Sequence, residues 1–539
     1  MDFLEIAKLS QTLEEETGRN EMIELVSDFL SRLPADELLP ACYMLTNPPK
    51  TGVGWACVRD VLLRVTGARE EELFKAFSET GDLGEAAYRL FETRKIRVTT
   101  LESRPLTISE VWETMKRTAE TPQATKKERL IEALYLRCSP LEAKLLTKIL
   151  TGELRTGFKE GLLLPALSKT YSIPLETIRR AWAVGGPELT LGSLNREEQP
   201  MTNPFPFQPV LPMLAHTASS FEEIFDEHGG STFLEFKLDG ARVQIHSSTG
   251  KVSIFSRTGE NIAQSMPEIV QEVRELGIGE CILEGEVVAL RDERPLPFQY
   301  LLKRFRRKHE VQRAVDETPL KLYLFDALFL NGSSLLDLPY EQRREKLEEI
   351  GGELLVPKKE VRNPEEAEEF FKLAIEKGHE GVIAKKPGSV YKPGQRVRDW
   401  LKLKRVLTLD LVIVGAEWGH GRRARWLSDY YLAALDRETG KFEIVGKTFK
   451  GLTDAELEQM TKRLKELQIS SRGRTVFVKP EIVVEVSFNQ VQESPKYAKG
   501  MALRFARIER IREDKKPEEA STLDEVRRIF SLTFKTGEN

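Results

Sequence analysis

Cysteine is scarce in this 539-residue chain: Cys42, Cys57, Cys138 and Cys281 stand far apart, and no two form a Cys-x-x-Cys pair. That spacing disfavours zinc ribbons and disulfide frameworks and leaves buried thiols as the expectation. No apolar stretch is long enough to cross a bilayer. The opening Met-Asp-Phe-Leu-Glu-Ile-Ala-Lys carries acids where a secretory signal would carry a basic segment, so the chain is expected in the cytoplasm or nucleoid. There is no internal repeat and no low-complexity tract. Nor is there an excess of positive charge, the formal net charge being -4, which argues against a uniformly basic surface. Nucleic acid is not thereby excluded, because counterion release at a local cluster of Lys and Arg supplies the binding energy.

What is present is a globular composition, 40% hydrophobic and 31% charged, with length enough for several domains. Two basic clusters stand out, Lys303-Arg304-Phe305-Arg306-Arg307-Lys308 and Gly421-Arg422-Arg423-Ala424-Arg425-Trp426. Each reads equally as a phosphate contact or a solvated face. The first two hundred residues carry helical periodicity, as in Glu21 to Leu30. Within them Gly152-Glu153-Leu154-Arg155-Thr156-Gly157 precedes a Leu-rich helix, either opening backbone toward a phosphate or merely making a tight interhelical turn. The Pro/Phe-rich stretch between Pro200 and Pro212 cannot continue a helix and reads as an extended connector. Beyond it the pattern becomes mixed: Ala241 to His246 alternates, turns at Thr249-Gly250 and resumes at Val252 to Arg257, a β-hairpin, while Pro364 to Lys377 is helical. After Leu407 short strands dominate, with a helix near Ala455 to Leu467, and the pattern suits a small OB-type barrel. An apolar pattern at Leu523, Val526 and Ile529-Phe530 predicts a docked terminal helix with a frayed end.

The chemistry-bearing segment is Phe233-Leu-Glu-Phe-Lys-Leu-Asp-Gly-Ala-Arg242. It presents Lys237 at the end of an apolar run, beside a Gly that permits close backbone approach. Taken alone, a lysine at a strand end is usually a solvated charge. Here it has company: Leu283-Glu284-Gly285-Glu286, Phe325-Asp326, Glu380-Gly381-Val382-Ile383-Ala384-Lys385 and Trp400-Leu401-Lys402-Leu403-Lys404 follow in order, each beside a β-type run. This series resembles the motifs of the covalent-lysine nucleotidyltransferases, and over nearly its whole length the chain looks like an ATP-dependent DNA ligase of the archaeal and eukaryotic type.

The resemblance implies three domains: an all-α DNA-binding domain (1–205), an α+β nucleotidyltransferase domain (206–405) and an OB-fold β-barrel with a C-terminal helix (406–539). It implies that Lys237 becomes linked to AMP and that Glu235, Arg242, Arg257, Glu286, Phe325, Lys385, Trp400, Lys402, Arg512 and Lys515 bind the cofactor. Among these, Arg242 and Arg257 resemble contacts to ribose and the nick phosphate, Phe325 the ring stacked on adenine, and Lys385 and Lys402 the phosphate contacts. Glu286 and Glu380 would hold Mg²⁺, Arg155 and Gly157 would touch DNA, and Arg512 with Lys515 would orient departing pyrophosphate from a moving lid. The implied partner is nicked duplex DNA, bound by a monomer with no membrane association.

An ordinary lysine titrates near ~10.4, so only about one in two thousand is a neutral amine at pH 7. A site that uses one as nucleophile must favour the neutral form with positive potential, here from Lys385, Lys402 and bound metal. A GTP-using capping enzyme would not need two hundred helical residues ahead of the lysine motif, and an NAD-dependent ligase would show zinc-binding cysteines. An RNA ligase is the nearer rival, and a catalytically silent scaffold is opposed by the intact lysine and acids. Paired aromatics of a sliding-clamp box are missing where Thr99-Thr100-Leu101-Glu102-Ser103-Arg104 precedes Pro105-Leu106-Thr107, so clamp binding by that route is not expected.

Overall fold

The computed structural model describes residues 1–94, 104–291, 294–296, 300–301, 304–305, 315 and 317–534. Most of the 303–308 cluster and positions 99–103 of the clamp-box region therefore lie outside the described residues. The chain divides into two compact units, Met1–Pro204 with Gln208–Leu211, and Phe205–Phe207 with Pro212–Asn539.

The first unit is all-helical, and local chemistry sets its helix ends. Ser139 accepts a hydrogen bond from the Glu142 backbone, Glu142 answers the Ser139 backbone, Pro140 takes the first turn, and Gly152 closes helix Pro140–Thr151 at φ 73°. The long helix Leu175–Asn195 breaks at Gly186, whose φ of 77° is non-helical and which precedes Pro187. Two lysines of Pro140–Thr151 are buried against other helices: Lys144 meets Glu14 at 3.1 Å and Glu85 at 2.8 Å, and Lys148 meets Glu14 at 2.7 Å and Asp82 at 3.2 Å.

The second unit begins with two sheets. One runs in the order Leu214–Thr217, Arg396–Lys404, Gly381–Lys385, Thr232–Lys237, Lys358–Val361. The other runs Lys251–Ser256, Ala241–Ser248, Cys281–Arg291, Leu320–Leu330, Ser333–Ser334. The expected hairpin is present, its turn made by Thr249 at φ 49° and Gly250 at φ 78°, left-handed conformations that suit the twist of the flanking strands. The helix expected over 364–377 spans Pro364–Glu376.

The remainder is a β-barrel of OB type, its main sheet ordered Lys441–Thr448, Leu427–Asp436, Leu407–Trp418, Thr475–Phe488, Gln468–Arg472, with Arg507–Ile511 also paired to Thr475–Phe488. Helix Asp454–Glu466 packs on it, and the terminal helix Leu523–Phe534 buries Leu523 and Val526 in the same core. Trp426, read as an aromatic beside a basic cluster, is 4% exposed and belongs to that core, with Arg425 over its ring. Burial in the barrel, not contact with nucleic acid, accounts for it. Arg304 likewise is buried and paired with Glu268.

Candidate active site

Three strands set the centre in register. Gly381 lies opposite Lys237 on one side and opposite Lys404 on the other, so a row Lys237–Gly381–Lys404 crosses the sheet. A Cβ on Gly381, whose φ is 147°, would overlap the Leu403 carbonyl, and one on Gly240 would overlap the Val287 carbonyl. Both glycines are thus required by close backbone approach.

Glu380 precedes the row and donates its N–H to the Lys237 carbonyl at 2.9 Å. Its Oε2 lies 2.7 Å from the Lys237 Nζ and 2.7 Å from the Lys404 Nζ. Burial would raise the Glu380 carboxyl, but Lys237 and Lys404 more than offset this and hold it below the usual range. Asp239 is moved the other way, by burial and by Glu380, against Arg504 of the barrel at 3.5 Å. Burial pushes Glu286 up to about 7, with Glu380 and Asp239 adding and Lys237 and Arg242 opposing. Burial, then the charges of Arg396, Lys404 and Lys237, lower the Lys402 ammonium.

Four residues along the strands, about 13 Å away, lies an aromatic pocket. Phe325 meets Trp400 edge-on, centroids 6.5 Å apart at 78°. The Arg242 guanidinium lies 5.3 Å from the Phe325 centroid and 5.8 Å from that of Trp400. The Trp400 indole N–H is buried with no acceptor among the described residues, an orphaned donor beside the ring expected to stack on a base.

Lys385 belongs to this pocket and not to the phosphate end. It pairs in register with Phe233 and Trp400, its ammonium is buried and held by Glu235 at 2.8 Å and the Phe325 carbonyl at 2.9 Å, and the rings of Trp400 and Tyr340 lie 4.5 and 4.7 Å away. The phosphate contact expected of it is corrected on that ground: the strand carries it away from Lys237. The Glu235 carboxylate is committed to Tyr340 at 2.5 Å, Arg344 at 3.0 Å and Lys385, so its side chain braces Lys385 beneath the rings.

Arg257 is exposed just past Lys251–Ser256. Arg512 and Lys515 both contact Asp410 at the start of the barrel, at 3.1 and 2.6 Å. A barrel residue that does meet the nucleophile motif is Arg504, at Asp239. In the helical unit Arg155, at φ 55°, donates to the Gly81 carbonyl at 2.7 Å, and Gly157 has φ 73°. Sequence reasoning named Asp239 and Lys404 within the motifs without giving either a role, and it missed Arg396. The signal for Lys404 was available, since Lys402 and Lys404 alternate on one strand and share a face.

Among the described residues no group of three His, Cys, Asp or Glu side chains could cage a metal. Magnesium does not need one: it keeps waters and takes phosphate oxygens beside one or two carboxylates, and Glu286 and Glu380 beside the nucleophile fit that demand.

Three family profiles match this chain: "DNA ligase N terminus" over residues 2–168, "ATP dependent DNA ligase domain" over 212–404 and "ATP dependent DNA ligase C terminal region" over 423–515. The protein called "DNA ligase 1" in Korarchaeum cryptofilum is 44% identical over 540 residues, covering 98% of each chain. The "DNA ligase" of Thermococcus fumicolans is 38% identical over 554 residues, covering 99% of each. A solved structure described as "Pmar-Lig_PreS3" is 18% identical with a TM-score of 0.61, covering 94% of this chain and 99% of that one, and is alike in fold.

Proposed function

The chain belongs to the ATP-dependent DNA ligase family, and we propose that it seals nicks in duplex DNA through an adenylate carried on Lys237. The observation that carries this reading is the Lys237 ammonium against Glu380, which Lys404 also meets, within electrostatic reach of Glu286 and four residues along the strands from the aromatic rings. The Lys237 Nζ, once neutral, attacks the α-phosphorus of ATP; a P–N bond forms, the α–β P–O bond breaks and pyrophosphate leaves. AMP passes to the 5′-phosphate at the nick, and the 3′-hydroxyl displaces it to close the strand.

The pocket of Phe325, Trp400 and Arg242 takes the base and sugar, and Lys402 with Lys404 takes the phosphates. Glu286 and Glu380 would hold Mg²⁺, which would supply charge neutralisation on the phosphates. Arg512 and Lys515 act as lid groups for the first step, reached by turning the barrel. Nicked duplex DNA is gripped through its backbone, Arg155 and Gly157 contributing, by a monomer. Phe449 and Phe505, 57% and 59% exposed with Lys450 near both rings, give the barrel a sequence-tolerant nucleic-acid surface. The favoured setting is the nucleoid.

The test is labelling with α-labelled ATP, chased with nicked DNA. Lys237→Ala is expected to abolish an acid-labile, base-stable label. Label persisting in that variant would mean another nucleophile, and preference for a nicked RNA duplex would move the substrate to RNA.

A further inference from the structure

Arg242 is held from behind by a buried hydrogen-bond chain that begins in the interdomain connector. The Phe207 N–H donates to His246 Nδ1 at 2.9 Å. That acceptor role puts the ring proton on Nε2, which lies 2.9 Å from Gln244 Oε1. The Gln244 amide then donates to Glu284 Oε1 at 3.4 Å, and Glu284 Oε2 receives Arg242 Nη2 at 2.5 Å. Gln244 and Glu284 face each other in register, while Arg242 is the diagonal neighbour of Glu284. Gln244, His246 and Glu284 are 6%, 0% and 1% exposed, so water does not substitute for these partners.

The connector end is itself unusual. Phe207 has φ 69°, a left-handed conformation that a side chain of this size rarely adopts, and the Lys251 ammonium lies 4.6 Å from its ring centroid. Backbone strain at Phe207 persists because these contacts over-determine it. Past Pro212 the connector returns to the same arginine: Arg242 Nη1 donates to the Met213 carbonyl at 2.7 Å. Met213 N–H in turn donates to the Tyr391 hydroxyl at 3.0 Å, and that hydroxyl lies 3.3 Å from Arg242 Nη2.

We propose that Gln244 and His246 are positioning residues for ATP binding, transmitting the seating of the connector at Phe207 through Glu284 to Arg242. The chain of polarity admits one arrangement, N–H to Nδ1, Nε2–H to Oε1, Nε2–H to Oε1, so each amide and ring is oriented by the one before it. Loss of the middle link leaves Glu284 buried with one oxygen unmatched and able to swing, carrying the guanidinium with it. Arg242 then meets the nucleotide in a broader range of positions, while Lys237 and its own neighbours stay as they are. This rests on Arg242 being a nucleotide contact.

The experiment uses the full chain with Gln244→Met, close in volume and without hydrogen bonds, in a self-adenylation assay over a range of ATP. The KM for ATP is expected to rise about tenfold, the cost of roughly one hydrogen bond, with the maximal rate within about twofold and sealing of a pre-adenylated nick unchanged. Should Gln244→Met lose its circular dichroism signature, Gln244→Asn, one methylene shorter, makes the same comparison. Phe207→Gly keeps the N–H but removes the ring seated against Lys251; it too should raise the KM for ATP, by a smaller factor. An unchanged KM in the Gln244 variant, or equal losses in both steps alongside a lowered Tm, overturns the proposal. If the unaltered protein itself forms no adenylate on Lys237, the functional reading has failed instead, which is a separate outcome.

Discussion

Glu286 and His246 show how burial turns single residues into pH-dependent parts. With its carboxyl raised to about 7, Glu286 still carries a proton in much of the population at neutral pH, and only the ionised form can bind a cation. Raising the pH from about 6 to 8 should therefore strengthen apparent Mg²⁺ affinity in lysyl-AMP formation by up to about tenfold. A magnesium titration at fixed ATP reads this, and an affinity indifferent to pH would count against Glu286 as the proposed metal ligand. His246 is held neutral by burial, down to about 3 from an ordinary value of 6.5. As the pH falls below 6.5 the unfolded chain gains a proton that the folded chain refuses, so the folded state loses stability, by about 2 kcal/mol at about pH 5. Urea unfolding at the two pH values should show that slope, and His246→Gln should flatten it by about this amount.

Among the elements, helix Pro140–Thr151 is the one whose apolar periodicity conceals ionic work. Lys148, 2% exposed, joins Glu14 of one helix to Asp82 at the cap of another, and Asp82 lies 3.7 Å from Arg155. Lys148→Ala would leave Glu14 with Lys144 and Asp82 with Arg155 as their remaining charge partners, at a cost of about 2 kcal/mol in unfolding free energy. Because Lys148 also helps to fix Asp82 beside the Arg155 loop, affinity for nicked DNA should fall as well, measurable by fluorescence anisotropy at fixed salt. Wild-type affinity in a destabilised variant would confine the network to holding the helices together. In the strands, alternation predicts the Ala241–Ser248 hairpin correctly, because a half-buried pleat writes its period into the sequence. It does not reveal that Lys385 serves the aromatic pocket, since that depends on pairing with Trp400 and Phe233, remote in sequence.

Across domains, the barrel presents Arg504 to Asp239 while Arg512 and Lys515 rest on Asp410. If pyrophosphate departure needs the latter two at the nucleotide, the barrel must turn and the Arg504 contact must open. Replacing Arg512 and Lys515 together with Ala should lower self-adenylation by at least about a hundredfold and leave sealing of a pre-adenylated nick near normal. Parallel loss in the two assays would instead make both residues simple braces for the barrel.

The order of the motifs, the change from helical to alternating periodicity and the proline-rich connector are local properties of the chain. From them the fold class was legible, and they put forward Lys237 as a nucleophile, Glu286 and Glu380 as metal-binding acids and Phe325 as a base-stacking ring. Folding alone selected the partners: Lys404 on Glu380, Glu284 and Tyr391 on Arg242, Arg343 on Asp326, Glu235 on Lys385. Each joins residues from different strands or segments, and a charge far away in sequence becomes a neighbour only once strand register sets which side chains share a cleft. Chemical type is written residue by residue, whereas electrostatic environment is a sum over space.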